Sequence, residues 1–320
     1  MTKVAITGAA GFIAFHLAHR LHNNGYEVIG FDNYNTYYDP NLKSDRAKIL
    51  KDDLGIDVNT VDLKDQKALS EWMHKNKPDL VIHLAAMAGV RHSLDHPEDY
   101  IMNNIVGTHN LIQAMKKAGV DNVIYASTSC VMAGNPLPWN EHEKTGYQLN
   151  PYGYSKHTNE CQFMASDFKN AIGLRFFTVY GPWGRPDMAL FDFTKNIVNG
   201  NPITLFNYGD MVRDFTYVDD IVSGVEILVN RCFNSKIPGE KEIYNIGNGR
   251  QVHLIDFVKE IEKNLDREAI TNLVPKHPAD TQATWSDTTK LAKFGYKPKT
   301  SIEEGVEKFI NWYKSYYGVN

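Results

Sequence analysis

The chain has 320 residues, 42% hydrophobic and 22% charged, a composition that suits a soluble globular protein built as one large α/β unit with an appended lobe. A net charge of −4 with no basic run argues against nucleic acid as a partner. Three cysteines, Cys130, Cys161 and Cys232, show neither metal-ligand spacing nor a disulfide pattern, and no apolar run is long enough to span a membrane.

"KVAIT" (3–7) reads as a strand and begins at once, which leaves no room for a secretory signal and makes a cytoplasmic address the expectation. A helix is predicted from Phe12 to Asn23, and "EVIGFD" (27–32) is the next strand. "IDVNTVDL" (56–63) is a weaker strand, followed by a helix near 65–76. "DLVIHLAA" (79–86) leads to a long helix over 97–118, and "NVIYAST" (122–128) leads through a Pro-rich loop to a helix over 151–169. Strands alternating with helices predict a doubly wound parallel sheet covered on both faces. After "IGLRFFTVY" (172–180) the texture changes to a turn-rich loop, short strands and amphipathic helices. One of these carries Ile302, Val306, Phe309 and Tyr313 on a single stripe. This second part predicts a smaller mixed α/β lobe that closes over the carboxyl ends of the strands and binds substrate. The expected boundaries are 1–180 for the sheet domain, with 215–247 returning to it, and 181–320 for most of the lobe.

"TGAAGFIA" (7–14) lies between the first strand and its helix. Gly8 permits a tight turn, and Gly11 lets a pyrophosphate approach the backbone at the helix start, beside Phe12 and Ile13. Ala14 replaces the third glycine, which loosens helix–strand contact slightly. Asp32, with Asn33 after it, ends the second strand, where an acid accepts ribose hydroxyls of NAD and repels the extra phosphate of NADP. NAD is therefore the expected cofactor.

"PYGYSKH" sets Tyr152 and Lys156 on one helix face, so an ammonium group can favour phenolate and make Tyr152 a base. Tyr154 has no lysine four residues on. "STSC" (127–130) places small polar groups just upstream.

Together these motifs resemble the extended short-chain dehydrogenase/reductase superfamily over essentially the whole chain, and imply its Rossmann fold. "FDNYNTYYDPNLK", "LAAMAGVRHS", "LRFFTVYGPWGRPDMALF" and "DMVRDFTYVDDIV" resemble one branch, the UDP-glucuronate 4-epimerases. That resemblance implies an isomerase that uses NAD transiently through a 4-keto sugar, works as a homodimer and serves polysaccharide biosynthesis. Tyr152 would shuttle the proton, Thr128 would work with it, and Lys156 would hold the nicotinamide ribose and depress the tyrosine pKa. Asp62 and Leu63 would flank the adenine, Leu84 and Ala86 would line the cofactor, and Asn104 would lie near cofactor and substrate. Arg213 matches the arginine used on the nucleotide diphosphate, with Arg185 as a second candidate. Arg91 and Thr178 are candidates for the sugar end, and Asp280 for the nucleotide ribose.

Anchored on "YAS", Cys130 falls where this branch carries a second Ser or Thr, and Met132 replaces a tyrosine. Strand alternation puts 128 and 130 on one face. A gapless register counted back from Tyr152 instead moves Ser129 into the second hydroxyl position. Related dehydratases and decarboxylases carry carboxylates at these positions, and none stands here. Cys130 is expected to be a weakened contact to the sugar. Two other readings stay open: a 4-epimerase or 4-dehydrogenase for a different nucleotide sugar, and a non-catalytic NAD-binding protein.

Overall fold

The computed structural model describes residues 1–234 and 240–319. Residues 235–239, inside the segment expected to return to the first domain, and Asn320 lie outside the described residues. Six strands, β1 (Lys3–Thr7), β2 (Glu27–Asp32), β3 (Val58–Thr60), β4 (Leu80–His83), β5 (Asn122–Thr128) and β6 (Asn170–Phe176), join Lys241–Ile246 in one sheet. The order is 3-2-1-4-5-6 followed by Lys241–Ile246, and every pairing is parallel. Strand order therefore reverses between β1 and β4, where a crevice opens at the carboxyl ends.

Parallel strands must be covered on both faces, and their side chains divide accordingly. Val4, Ile6, Leu80 and Ile82 face one core with helix α1 (Phe12–Asn23) and α2 (Pro40–Leu54). Ala5 and Val81 face the other, with α3 (Gln66–Asn76) and helices Gly107–Ala118 and Pro151–Met164. Helix Val218–Asn234 packs beside α1 on the first face.

Outside this sheet, the described residues form three two-stranded ribbons: Ile203–Phe206 with Thr271–Val274, Val212–Arg213 with Val252–His253, and Thr178–Tyr180 with Phe215–Tyr217. Helix Ile302–Tyr317 buries the predicted stripe, with Val306, Phe309 and Tyr313 all nearly inaccessible. Its apolar side chains belong to the same core as those of α1.

Several local readings differ from the structure, and the helix over 151–169 already ends at Met164. The weak strand over 56–63 shrinks to Val58–Thr60 at the sheet edge, where short strands resist edge pairing. The helix over 97–118 is interrupted by a π-helical stretch, Ile101–Val106. Helix α2 has no sequence prediction at all, although the Asp39 carboxylate caps it and Pro40 opens it.

Candidate active site

A cavity of about 730 Å³ sits at the reversal point and is lined from both lobes. The glycine turn forms one wall. Gly8 has φ +69°, and a Cβ there would lie 2.8 Å from Ala85 Cα. A Cβ on Gly11 would meet the Gly8 carbonyl at 2.8 Å. No side chain caps α1, so its first amides remain available to an anion. Asp32 is 7% exposed, and its carboxylate accepts the Tyr34 amide at 2.9 Å. Burial raises its pKa, opposed by amide bonds and by the nearby Lys43 and Arg46 charges. Asn33 donates to Asp62 at 3.1 Å, joining the loops after β2 and β3. Phe12, Ile13, Leu63, Leu84 and Ala86 also line the cavity. Glycine turn, open helix end and an acid at the end of β2 together fit a dinucleotide.

Asn104 is the exception among the sequence candidates, because it does not line the cavity. It lies behind the wall, accepting the Met87 amide at 2.8 Å and donating to the Met87 carbonyl and the Ser155 hydroxyl at 2.9 Å each. The π-helical turn carries Asn103 to the cavity instead.

Strand β5 ends at Thr128, and Ser129–Met132 forms a tight 3-10 turn. Strand alternation therefore stops at Thr128, and the same-face argument for Cys130 does not apply. Cys130 nonetheless reaches the cavity, and its amide donates to the Thr128 hydroxyl at 3.2 Å. Ser129 lines it too. Burial pushes the Cys130 thiol up, while the Thr128 hydroxyl and the Arg213 charge oppose that shift. The thiol therefore stays protonated and un-nucleophilic.

Helix Pro151–Met164 starts at this wall. Asn150 caps it by accepting the Gly153 amide at 2.8 Å, which fixes Tyr152 in the first turn and Lys156 one turn on. Burial drives the Tyr152 phenol well above its ordinary range; Cys130 adds to this, and Thr128 and Arg185 oppose it. Burial lowers the Lys156 ammonium to about 7, while Glu160 works to raise it. Glu160, missed from sequence, accepts the Ser127 hydroxyl at 2.5 Å and pairs with Arg175 through two bonds of 2.9 Å. Its only sequence signal was a carboxylate four residues after the lysine.

The loop after β4 and the residues beyond 180 bring the other cations. Arg213 donates to the Val212 and Gln282 carbonyls at 2.9 and 3.0 Å and has no carboxylate ion pair among the described residues. Arg91 pairs with Asp280 at 2.7 Å and lies 3.6 Å from the Phe206 ring centroid. Arg185 donates to Asp187 and, at 3.0 Å, to the Ala88 carbonyl, while Tyr37 donates to the same Asp187 at 2.9 Å. Thr178 lines the cavity with Arg91, Arg185, Arg213 and Asp280.

A family model described as NAD dependent epimerase/dehydratase matches residues 4–247. An alignment of 335 positions shows 39% identity to a probable UDP-glucuronate 4-epimerase of Rhizobium meliloti, covering 98% of each chain. Identity to UDP-glucuronate 4-epimerase 1 of Arabidopsis thaliana is 40%, covering 99% of this chain and 78% of that one. The solved structure of a UDP-glucuronic acid 4-epimerase from Bacillus cereus, in complex with UDP-glucuronic acid and NAD, superposes with a TM-score of 0.90 at 32% identity. It covers 99% of this chain and 100% of that one.

Proposed function

The chain belongs to the NAD dependent epimerase/dehydratase family, and from that premise we propose that it interconverts UDP-glucuronate and UDP-galacturonate by epimerisation at C4. The observation that carries this reading is the convergence of the glycine turn, Asp32, Thr128, Tyr152, Lys156 and Arg213 on one cavity. NAD, when bound, supplies reversible hydride acceptance at the sugar C4. The Gly8–Gly11 turn and the α1 amides hold its diphosphate, Asp32 its adenosine ribose, and Lys156 its nicotinamide ribose. Asp62 and Leu63 flank the adenine.

Tyr152 takes the proton of the 4-hydroxyl and returns it after the flat keto sugar has turned over. Its phenol starts above the ordinary range, so positive charge must gather before it can act as base. Arg185 already lowers it, and a protonated Lys156 one helical turn away adds positive charge beside it. Thr128 hydrogen-bonds the phenol and steadies it. Arg213, the cation without a carboxylate partner, takes the nucleotide diphosphate, where a planar guanidinium suits phosphate. Arg91, Thr178 and Cys130 contact the sugar, Arg185 is a second anion contact, and Asp280 faces the nucleotide ribose. The described residues of 1–180 with 215–234 and 240–247 form the cofactor unit, and most of the described residues of 181–319 form the substrate lobe.

A homodimer and a cytoplasmic address are part of the proposal. Exposed Leu94, Ile101, Met102 and Leu149 beside the helices over 97–118 and 151–164 support the first, and three free thiols support the second. No helix of the described residues is long and apolar enough to cross a membrane.

The test is incubation of the purified protein with UDP-glucuronate and no added NAD, followed by separation of the products. UDP-galacturonate is expected from cofactor already held. No conversion after NAD has been added and shown to bind refutes the substrate and moves it to another nucleotide sugar.

A further inference from the structure

Helix α2 buries two cations, Lys43 at the cavity wall and Arg46 behind it, and neither has a catalytic or binding task so far. Arg46 is completely inaccessible, yet no carboxylate among the described residues pairs with it. Burying a guanidinium in that state is costly, and a Met or Leu would fill the same space more cheaply. What Arg46 has instead is a set of backbone carbonyls drawn from two distant turns. Its Nη1 donates to the Ala10 carbonyl at 2.9 Å and to the Tyr38 hydroxyl at 3.0 Å. Its Nη2 donates to the carbonyls of Trp183 at 2.6 Å and Gly184 at 3.4 Å.

Those two turns serve different ligands. Ala10 sits inside the glycine turn, between Gly8 and Gly11, and the guanidinium holds that turn by its carbonyl. Trp183 and Gly184 immediately precede Arg185, which lines the cavity with Met188 and Ala189 from the second lobe. Trp183 holds φ +61°, a conformation a bulky residue rarely adopts. A single rigid fork thus spans the dinucleotide side and the nucleotide-sugar side. His16 adds a smaller tie between the same elements, its Nε2 lying 2.9 Å from the Pro182 carbonyl.

We propose that Arg46 is a positioning residue that couples the two ligand sites, so that occupancy of the nucleotide-sugar site tightens the hold on NAD. The inference rests on the reading of the cavity given above. A guanidinium has separate NH2 groups that reach two turns together, whereas a lysine ammonium at the same place is a point charge on a flexible stem and reaches one. When the glycine turn sets in its bound shape, the Trp183–Gly184 turn is drawn with it, and Arg185 is held where the second ligand arrives.

The experiment measures the Kd for NAD by calorimetry on nucleotide-free protein, with and without saturating UDP, for the wild type, Arg46→Met and Arg46→Lys. Wild-type protein is expected to bind NAD at least about tenfold more tightly with UDP present, and reciprocity requires NAD to tighten UDP by the same factor. In both variants the factor is expected to fall below about threefold, the remainder carried by His16. Thermal unfolding without ligand reports a purely structural loss, which would lower stability while leaving the coupling factor intact. Arg46→Lys keeps the buried charge and carries the test if Arg46→Met does not fold. A coupling factor in either folded variant equal to that of the wild type overturns the proposal, as does a wild type that binds both ligands without coupling. A wild type that binds neither NAD nor UDP overturns the reading of the cavity, and this inference with it.

Discussion

Replacing Glu160 with methionine removes one carboxylate that serves two purposes. Glu160 and Arg175 are 4% and 3% exposed, so the pair lies almost entirely out of water. In Glu160→Met, Arg175 keeps only the Met132 sulfur as acceptor, and Ser127 loses its acceptor. Leaving one member of a buried pair uncompensated costs about 3–5 kcal/mol. A 320-residue chain unfolds with an entropy of about 0.7 kcal/mol/K, so Tm should fall by about 4–7 °C. The double variant Glu160→Met/Arg175→Met removes both charges and should recover most of that loss. The second purpose is electrostatic. Glu160 is the group that raises Lys156 against burial, so without it the ammonium deprotonates at lower pH and the basic limb of the activity profile moves toward acid. The double variant should regain stability and keep the displaced limb. Differential scanning calorimetry and a pH–kcat/KM profile check the two halves. A single variant that loses less than about 1 kcal/mol, or a profile that does not move, refutes the reasoning.

Tyr152→Phe should lower kcat by about three orders of magnitude, near the upper range of acid–base contributions, while NAD content after acid extraction stays unchanged; wild-type turnover would remove the proton shuttle. Cys130→Ser restores a stronger hydrogen-bonding group at the sugar and should turn over at least as fast in steady-state assays, whereas complete loss would reveal a specific role for the thiol. In cofactor-free protein Lys156 is held to about 7 by burial, below its ordinary value, so the unfolded chain binds more protons above that pH. Stability should therefore rise between pH 7 and 9 by up to about 1.4 kcal/mol per unit, and urea titrations of Lys156→Met should show a flatter dependence. Burial likewise lowers His16 to about 4 and His83 to about 3, so stability should fall as pH drops from about 6.5 toward 4, measured by the same titrations.

The sequence by itself was enough for features whose chemistry is local. A glycine turn between a strand and a helix, an acid at the end of the next strand, and a Tyr and Lys one helical turn apart are short-range patterns. Each was legible because backbone geometry alone ties those residues to one face or one turn. The parallel sheet followed from alternation, since such strands need crossover helices. What the sequence left out had no periodicity to read. Helix α2 spends apolar and charged positions alike on burial, with Leu42, Lys43, Arg46 and Leu50 all inside, so it shows little amphipathic contrast. The tight turn over Ser129–Met132, the displacement of Asn104 behind the wall, and the Glu160–Arg175 pair were decided by packing between elements. Arg46 is the plainest case, bonded to Ala10 and to Trp183, 36 and 137 residues away. A buried cation without a carboxylate is stable only where a tertiary fold delivers enough carbonyls to replace water, and no short stretch of sequence carries that information.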